Sequence, residues 1–209
     1  MTSIITGDII NSRGQKDPGI WLHPLKELLG EWGKAPKTWE IFRGDSFQLE
    51  IAKPWKALLA AIRIKACIKS IDKLDVRLGI GIGEKSYSAP HITESNGPVF
   101  VYSGETFEEL KKQKQRLSIR SPWPELDTEL NLMFRLASIA LDKWTPATAQ
   151  LVAISIANRE LSQKELGDQI GRTQSTISEG QKRAHYEEIM ALESFYRKCI
   201  KECISKTHT

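Results

Sequence analysis

Apolar residues recur along this chain with two periods, and the period changes a little past the middle. In the first part, short runs rich in β-branched residues alternate with helical stretches. Ser3 to Ile10 (SIITGDII) predicts a strand. Trp21 to Trp32 places Leu22, Leu25, Leu28 and Leu29 at helical spacing. Trp39 to Ile51 has two apolar arms around Arg43-Gly44-Asp45, and Gly-Asp between such arms predicts a hairpin. Pro54 then opens an amphipathic helix over Trp55 to Lys69, because proline is tolerated in a first turn. Asp75 to Gly83 (DVRLGIGIG) alternates as a strand whose glycines leave room for a close neighbour or a ligand. Pro98 to Val101 (PVFV) predicts another short strand, and Thr106 to Arg116 a helix with a basic end. Strand, helix, hairpin, helix and strand in this order predict an antiparallel sheet with helices packed on one face. That is an α+β, ferredoxin-like domain over residues 1–120.

From Ser121 the pattern is helical throughout. Ser121-Pro122-Trp123-Pro124 is a breaker cluster and the expected domain boundary, with an all-α domain over residues 121–209. Asp127 to Leu141 is one helix, and Thr145-Pro146 caps and starts a second that runs to about Asn158. Leu161 to Ala184 (LSQKELGDQIGRTQSTISEGQKRA) has the pattern of a helix-turn-helix. Ser162 and Glu165 form a capping box, Leu166 and Ile170 share one face, and Gly171 sits where the first helix must end. Thr173 caps a second helix from about Gln174 to Arg183, with Ile177 directed at Leu166 and Ile170. Gly180 lies inside that helix at a cost of about 1 kcal/mol against alanine. The expected DNA-contacting residues are Arg172, Thr173, Gln174, Ser175, Thr176, Ser178 and Lys182, since Gln and Ser near a helix start can reach base edges and phosphates. A plain helical hairpin with a polar surface fits the same residues. A last amphipathic helix is expected over Ala184 to Ile204, and it is a candidate dimer contact.

Composition narrows the class without choosing a partner. The 209 residues are 40% hydrophobic and 27% charged, with a formal net charge of +4. That charge permits contact with nucleic acid or nucleotide phosphates but does not select either. Arg159 to Lys206 holds nine Lys or Arg against eight Asp or Glu, so non-specific DNA binding should be weak. No apolar run approaches the length that spans a bilayer, and no signal peptide is expected, which points to the cytoplasm. Cys67, Cys199 and Cys203 make no disulfide framework, and His23, His91, His185 and His208 are scattered. Cys199 and Cys203 are expected as packing residues.

Asp8 ends the first strand and Asp45 sits at the hairpin tip, each directly after a glycine, Gly7 and Gly44. If the first strand and the hairpin are neighbours, two carboxylates side by side make a hard oxygen site for magnesium. Turn formation alone is the blander explanation of two Gly-Asp pairs. Asp8-Ile9, Arg43-Gly44-Asp45-Ser46-Phe47 and Val76 to Gly83 resemble the landmarks of class III nucleotide cyclases. The resemblance implies that Asp8 and Asp45, helped by the Ile9 carbonyl, hold Mg2+ or Mn2+ over a nucleotide. Gly7, Asn11, Ser12, Arg43 and Gly44 would then lie around that nucleotide. Alignment at Val101 puts Tyr102 and Thr106 where those enzymes carry an asparagine and an arginine, which argues against cyclase turnover. Arg13, Lys85 and Arg43 are the candidate replacement cations.

The chain as a whole is more similar to the SatD-like family. It shares the Gly7 to Ser12 segment, the Gly44 to Gln48 hairpin, the Gly-Ile-Gly strand, Gly97-Pro98 and a helical end with a helix-turn-helix. Three expectations follow. The first is a DNA-binding regulator, with the cyclase-like domain sensing a nucleotide or mediating a homodimer. The second is a metal-dependent nucleotide-processing enzyme using Asp8 and Asp45. The third is a degenerate scaffold that binds protein.

Overall fold

β1 (Thr2–Ile10) is buried on both faces, and the rest of the first half is arranged around it. The computed structural model describes residues 1–207, and His208 lies outside the described residues. After β1 come α1 (Gly19–Gly30), β2 (Trp39–Phe42), β3 (Ser46–Ile51), α2 (Ala57–Lys69), β4 (Asp75–Gly83), α3 (Pro98–Gln113) and β5 (Leu117–Arg120). Then follow α4 (Pro124–Leu141), α5 (Pro146–Ala157), α6 (Gln163–Ile170), α7 (Gln174–Ala184) and α8 (Tyr186–Thr207). The protein is α+β, with a five-stranded mixed sheet and a helix-rich C-terminal region.

The sheet order is β2-β3-β1-β4-β5. β1 pairs antiparallel with β3 and β4, β2 pairs antiparallel with β3, and β5 lies parallel to β4. A parallel neighbour needs a crossover, and α3 supplies it. The register sets Asp8 opposite Ser46 on one side and opposite Arg77 on the other.

Period-two alternation divides the side chains of β1 between two layers. Ile5 and Ile9 enter the main core, together with Phe47, Leu49, Val76, Leu78 and Ile80 of its neighbours. Ile4 points the other way, to Ile92 and Val99. α2 packs on the first face with α1 against it, and α3 packs on the second. The expectation of helices on one face is therefore corrected: the sheet is covered on both.

The expected strand over Pro98–Val101 is also corrected, because these residues form the first turn of α3. Gly97, at φ 141, turns the chain, and Pro98 starts the helix. The glycines of β4 make the position available. A Cβ on Gly81 would lie 2.4 Å from the Val99 carbonyl oxygen and 2.5 Å from the Ser103 nitrogen. One on Gly79 would lie 2.9 Å from the Phe107 nitrogen. The close neighbour that these glycines admit is thus a helix backbone. α3 ends at Gln113 with Lys114 in the left-handed conformation, so Arg116 is outside the helix and precedes β5, a strand the apolar pattern did not announce.

The C-terminal helices share the main core with the sheet. Leu130, Phe134, Trp144, Val152, Tyr196 and Ile200 belong to the same buried cluster as Ile5 and Ile64. α5 and α8 both rest on α2, and the buried Tyr196 hydroxyl donates to the Pro54 carbonyl at 2.9 Å. A partly buried ionic knot joins the same parts. Lys65 of α2 reaches Asp75 at 3.1 Å and Asp142 at 2.6 Å, Lys69 donates to the Asp142 carbonyl at 2.9 Å, and Arg116 bonds Asp142 at 2.6 Å. Burial disfavours charge on Asp142, but Lys65 and Arg116 outweigh it and hold its carboxyl below the ordinary 3.8. Among the described residues, no helix is long and apolar enough to cross a membrane.

Gly81→Ala should destabilise the protein by about 2 kcal/mol or more, since the added carbon meets backbone that cannot rotate away. A Cβ at Gly104, within α3, meets nothing within 4 Å, so Gly104→Ala should stabilise by about 0.5–1 kcal/mol. Urea denaturation of the two variants checks the contrast, and equal midpoints would show that α3 does not depend on the β4 glycines.

Candidate functional site

Two candidate sites come out of this fold, one at the end of β1 and one in α6–α7. At the first, the β2–β3 turn folds back over the end of β1, and the Ile9 amide donates to the Asp45 carbonyl at 3.1 Å. Asp8 and Asp45 thereby line one open pocket of about 750 Å³ together with Ile9, Asn11, Ser12, Arg13, Lys73 and Arg77. The predicted convergence of the two aspartates is present in the geometry.

Both carboxylates already have partners. Arg77 reaches Asp8 Oδ1 at 3.2 Å and Oδ2 at 3.1 Å, and Ser12 Oγ donates to Asp45 Oδ2 at 2.5 Å. Arg77 Nε is buried without a partner. Burial pushes the Asp8 carboxyl above its ordinary 3.8; Arg77 and Lys111 oppose the rise, and Asp45 adds to it.

The other residues expected here divide. Asn11 takes the left-handed conformation at φ 66, and its amide donates to the Lys73 carbonyl at 3.0 Å, which shapes the pocket wall. Arg43 (φ 52) and Gly44 (φ 90) make the hairpin turn. Gly7 faces away from the pocket: a Cβ there would lie 2.6 Å from the Phe47 ring and 2.9 Å from Leu78. Core packing is its physical reason, and no ligand approach is needed to explain it. Lys85 is engaged with Glu50 at 2.6 Å and does not line the pocket. Tyr102 and Thr106 both lie on α3, and Thr106 is buried against the sheet with its hydroxyl unpartnered. The sequence reading missed Arg77 as the cation at Asp8, although strand alternation and the sheet order together would have placed it there.

The donor set bears on a metal. Among the described residues no three His, Cys, Asp or Glu side chains gather. Asp8 and Asp45 fit a divalent ion that arrives with phosphate oxygens or waters as its remaining ligands. Such an ion would also have to displace Arg77 from Asp8.

At the second site the helix-turn-helix is formed. The Ser162–Glu165 capping box is complete, with Ser162 nitrogen donating to Glu165 at 2.8 Å. Gly171 ends α6 at φ 67, and a Cβ on Gly167 would lie 2.6 Å from the Arg172 carbonyl, so the tight turn requires a glycine there. Leu166 and Ile177 are buried against each other's helices. α5 is the third helix of the unit, and Gly180 owes its presence to it, since a Cβ would lie 2.3 Å from Leu151. Arg172, Thr173, Gln174, Ser175, Thr176 and Lys182 are exposed and Ser178 is half-buried. Thr173 caps α7 through the Thr176 amide at 3.2 Å. A glutamine relay was not foreseen. Gln174 donates to Gln163 at 3.1 Å, Gln163 to Gln181 at 2.9 Å, and Gln181 to Ser155 at 3.0 Å. α7 ends at Ala184, with His185 at φ 53 separating it from α8, so the expected last helix starts two residues later.

Comparison with protein-family models and with curated proteins finds no match.

Because the folded-state pKa of Asp8 is raised, its ionisation costs stability above that pKa, and the cost disappears as pH falls to the ordinary 3.8. Carboxyl NMR titration should find Asp8 above its ordinary value. Asp45→Asn should lower the Asp8 midpoint and Arg77→Gln should raise it. Unchanged midpoints in both variants would mean that the three groups do not share one field.

Proposed function

We propose that this protein is a cytoplasmic DNA-binding regulator that reads duplex DNA with α7. The observation that carries the reading is the exposed, polar N-terminal half of α7, standing on a capped turn and held from behind by α5 and α6. Ile177, Gly180 and Ala184 are spent on packing, which leaves Gln174, Ser175, Ser178 and Lys182 for the opposite side. The Gln174 amide, pinned by Gln163, keeps a second N–H and its carbonyl oxygen free, the pair of groups that matches an adenine edge. The first-turn amides of α7 and Arg172 suit phosphate contacts. With charges nearly balanced across this region, affinity would rest on specific contacts more than on bulk attraction.

Selection from random duplexes should enrich a sequence, and fluorescence anisotropy on it should show Gln174→Ala and Ser175→Ala each losing about 1–3 kcal/mol of specific binding. Non-specific binding should stay the same in both. Lys182→Ala should weaken all sequences alike and lower the salt slope by about one. Absence of any enriched sequence would count against DNA reading and in favour of a protein partner.

A second reading draws on the convergence of Asp8 and Asp45 in an open pocket flanked by Arg13 and Lys73. On that reading the sheet binds a nucleotide with Mg2+ or Mn2+, as an input to the regulator or as a substrate. A nucleoside triphosphate with magnesium should then raise the melting temperature, and Asp8→Asn with Asp45→Asn should abolish the shift. The same shift in the double variant would remove the carboxylates from the site.

A further inference from the structure

The outward face of α4 is unpaid-for apolar surface. Leu132 is 51% exposed, Leu136 60% and Ile139 61%, whereas Leu130, Phe134 and Leu141 of the same helix are buried. Leu136 and Ile139 flank a groove of about 650 Å³ between α4 and α8, floored by Met133, Ala137, Ile189 and Leu192. Phe195, 39% exposed, stands on its far rim. Isolated exposed leucines need no explanation, but a continuous apolar stripe beside a groove marks an interaction surface.

The charges at the ends of the stripe say what covers it. Glu129, Leu132, Leu136, Ile139 and Ala140 fall within a sector of about 100° on a helix of 3.6 residues per turn, and Lys143 follows in the turn just past the end of α4. Glu129 and Lys143 are exposed, and among the described residues neither forms an ion pair. From Glu129 to the end of α4 at Leu141 the helix already rises about 18 Å, so the two are too far apart to pair within one chain. An acid at one end, a base at the other and apolar residues between them form a surface complementary to itself when one copy is turned end for end. A two-fold contact has this requirement: residue i meets j, and j meets i.

We propose that α4 is the homodimer contact, crossing the α4 of a second copy antiparallel about a two-fold axis near Leu136. Glu129 of each copy meets Lys143 of the other, Leu132 meets Ala140, Leu136 meets its own counterpart at the axis, and Ile139 reaches Met133 in the groove between α4 and α8 of the other copy. This contact lies on the helical region and does not involve the Asp8 pocket. It goes beyond the DNA reading and holds whether or not α7 reads DNA.

Sedimentation equilibrium of the full chain should show a dimer at concentrations up to about 100 µM. Leu136→Asp should be monomeric. Glu129→Lys and Lys143→Glu should each weaken dimerisation about tenfold, because the two-fold axis turns two attractive pairs into two repulsive ones. The Glu129→Lys/Lys143→Glu double variant should recover the wild-type dimer. Recovery separates this contact from a fold defect, since the two side chains cannot meet within one chain. The charge variants keep the test alive if Leu136→Asp fails to fold. A monomeric wild-type protein, or a dimer indifferent to the charge exchange, would overturn the proposal; in the monomeric case the groove would belong to a different partner.

Discussion

The structure depends on the burial of α2 on more than one side. Its sequence, ALLAAIRIKACIK, leaves only three of thirteen residues outside the buried set, so it behaves as an internal helix despite two buried lysines. The sheet lies on one side, α5 and α8 on another, and α1 along a third. A helix in this position must bring partners for any charge it carries, because an unpaired buried ammonium is far more costly than a paired one. Asp75 from the start of β4 and Asp142 from the end of α4 meet that need, with Arg116 completing the knot. The knot adds little net stability compared with apolar packing. Its effect is on arrangement: it ties α2 to β4 and to the end of α4 at once, Lys65 through both carboxylates and Lys69 through the Asp75 carboxylate and the Asp142 carbonyl.

The opposite face of the sheet obeys a different constraint. There the helix comes close because β4 carries no side chains at Gly79 and Gly81, so backbone packs on backbone. This proximity also brings the end of α3 near Asp8, where Lys111 and Glu108 enter its field. The polar groups at Asp8 therefore come from four separate chain segments, the end of β1, the β2–β3 turn, the first part of β4 and the last turns of α3. Their meeting follows from the sheet order and the glycines together, and neither alone would produce it.

Much of this was legible in the sequence, and the parts that were not share a cause. β1, the hairpin, α2, β4 and the helix-turn-helix have strong local signals: β-branched runs, a Gly-Asp turn, helical periodicity, alternation and caps. PVFV misled because its β-branched and aromatic composition is local, whereas the decision for helix is tertiary, made by Gly97-Pro98 and by the channel that the β4 glycines open. β5 has four residues and half of them face the core, too little pattern to stand out. Arg77 was hidden for a related reason. Its role depends on which strand lies beside β1, and that pairing spans about seventy positions of sequence. Gly180 read as a weakness of α7 because its cost is visible in the helix, while its cause, Leu151, belongs to another element.

α5 gives the two halves their mechanical relation. It is apolar nearly all round: Ala149, Val152 and Ile156 are buried, while Leu151 meets Gly180 of α7. A helix used on both sides in this way is a shared wall, and no flexible linker separates the helix-turn-helix from the sheet. Tyr186 and Gln181 add polar ties to Ser155 of the same helix. Moving α7 relative to the sheet therefore means repacking α5 on α2 or α7 on α5, and close-packed interfaces do not deform by small continuous steps. Any influence of the Asp8 pocket on α7 would have to select between two packings of these helices. The simpler consequence is rigidity: α7 is held at an angle to the body that its packing on α5 sets.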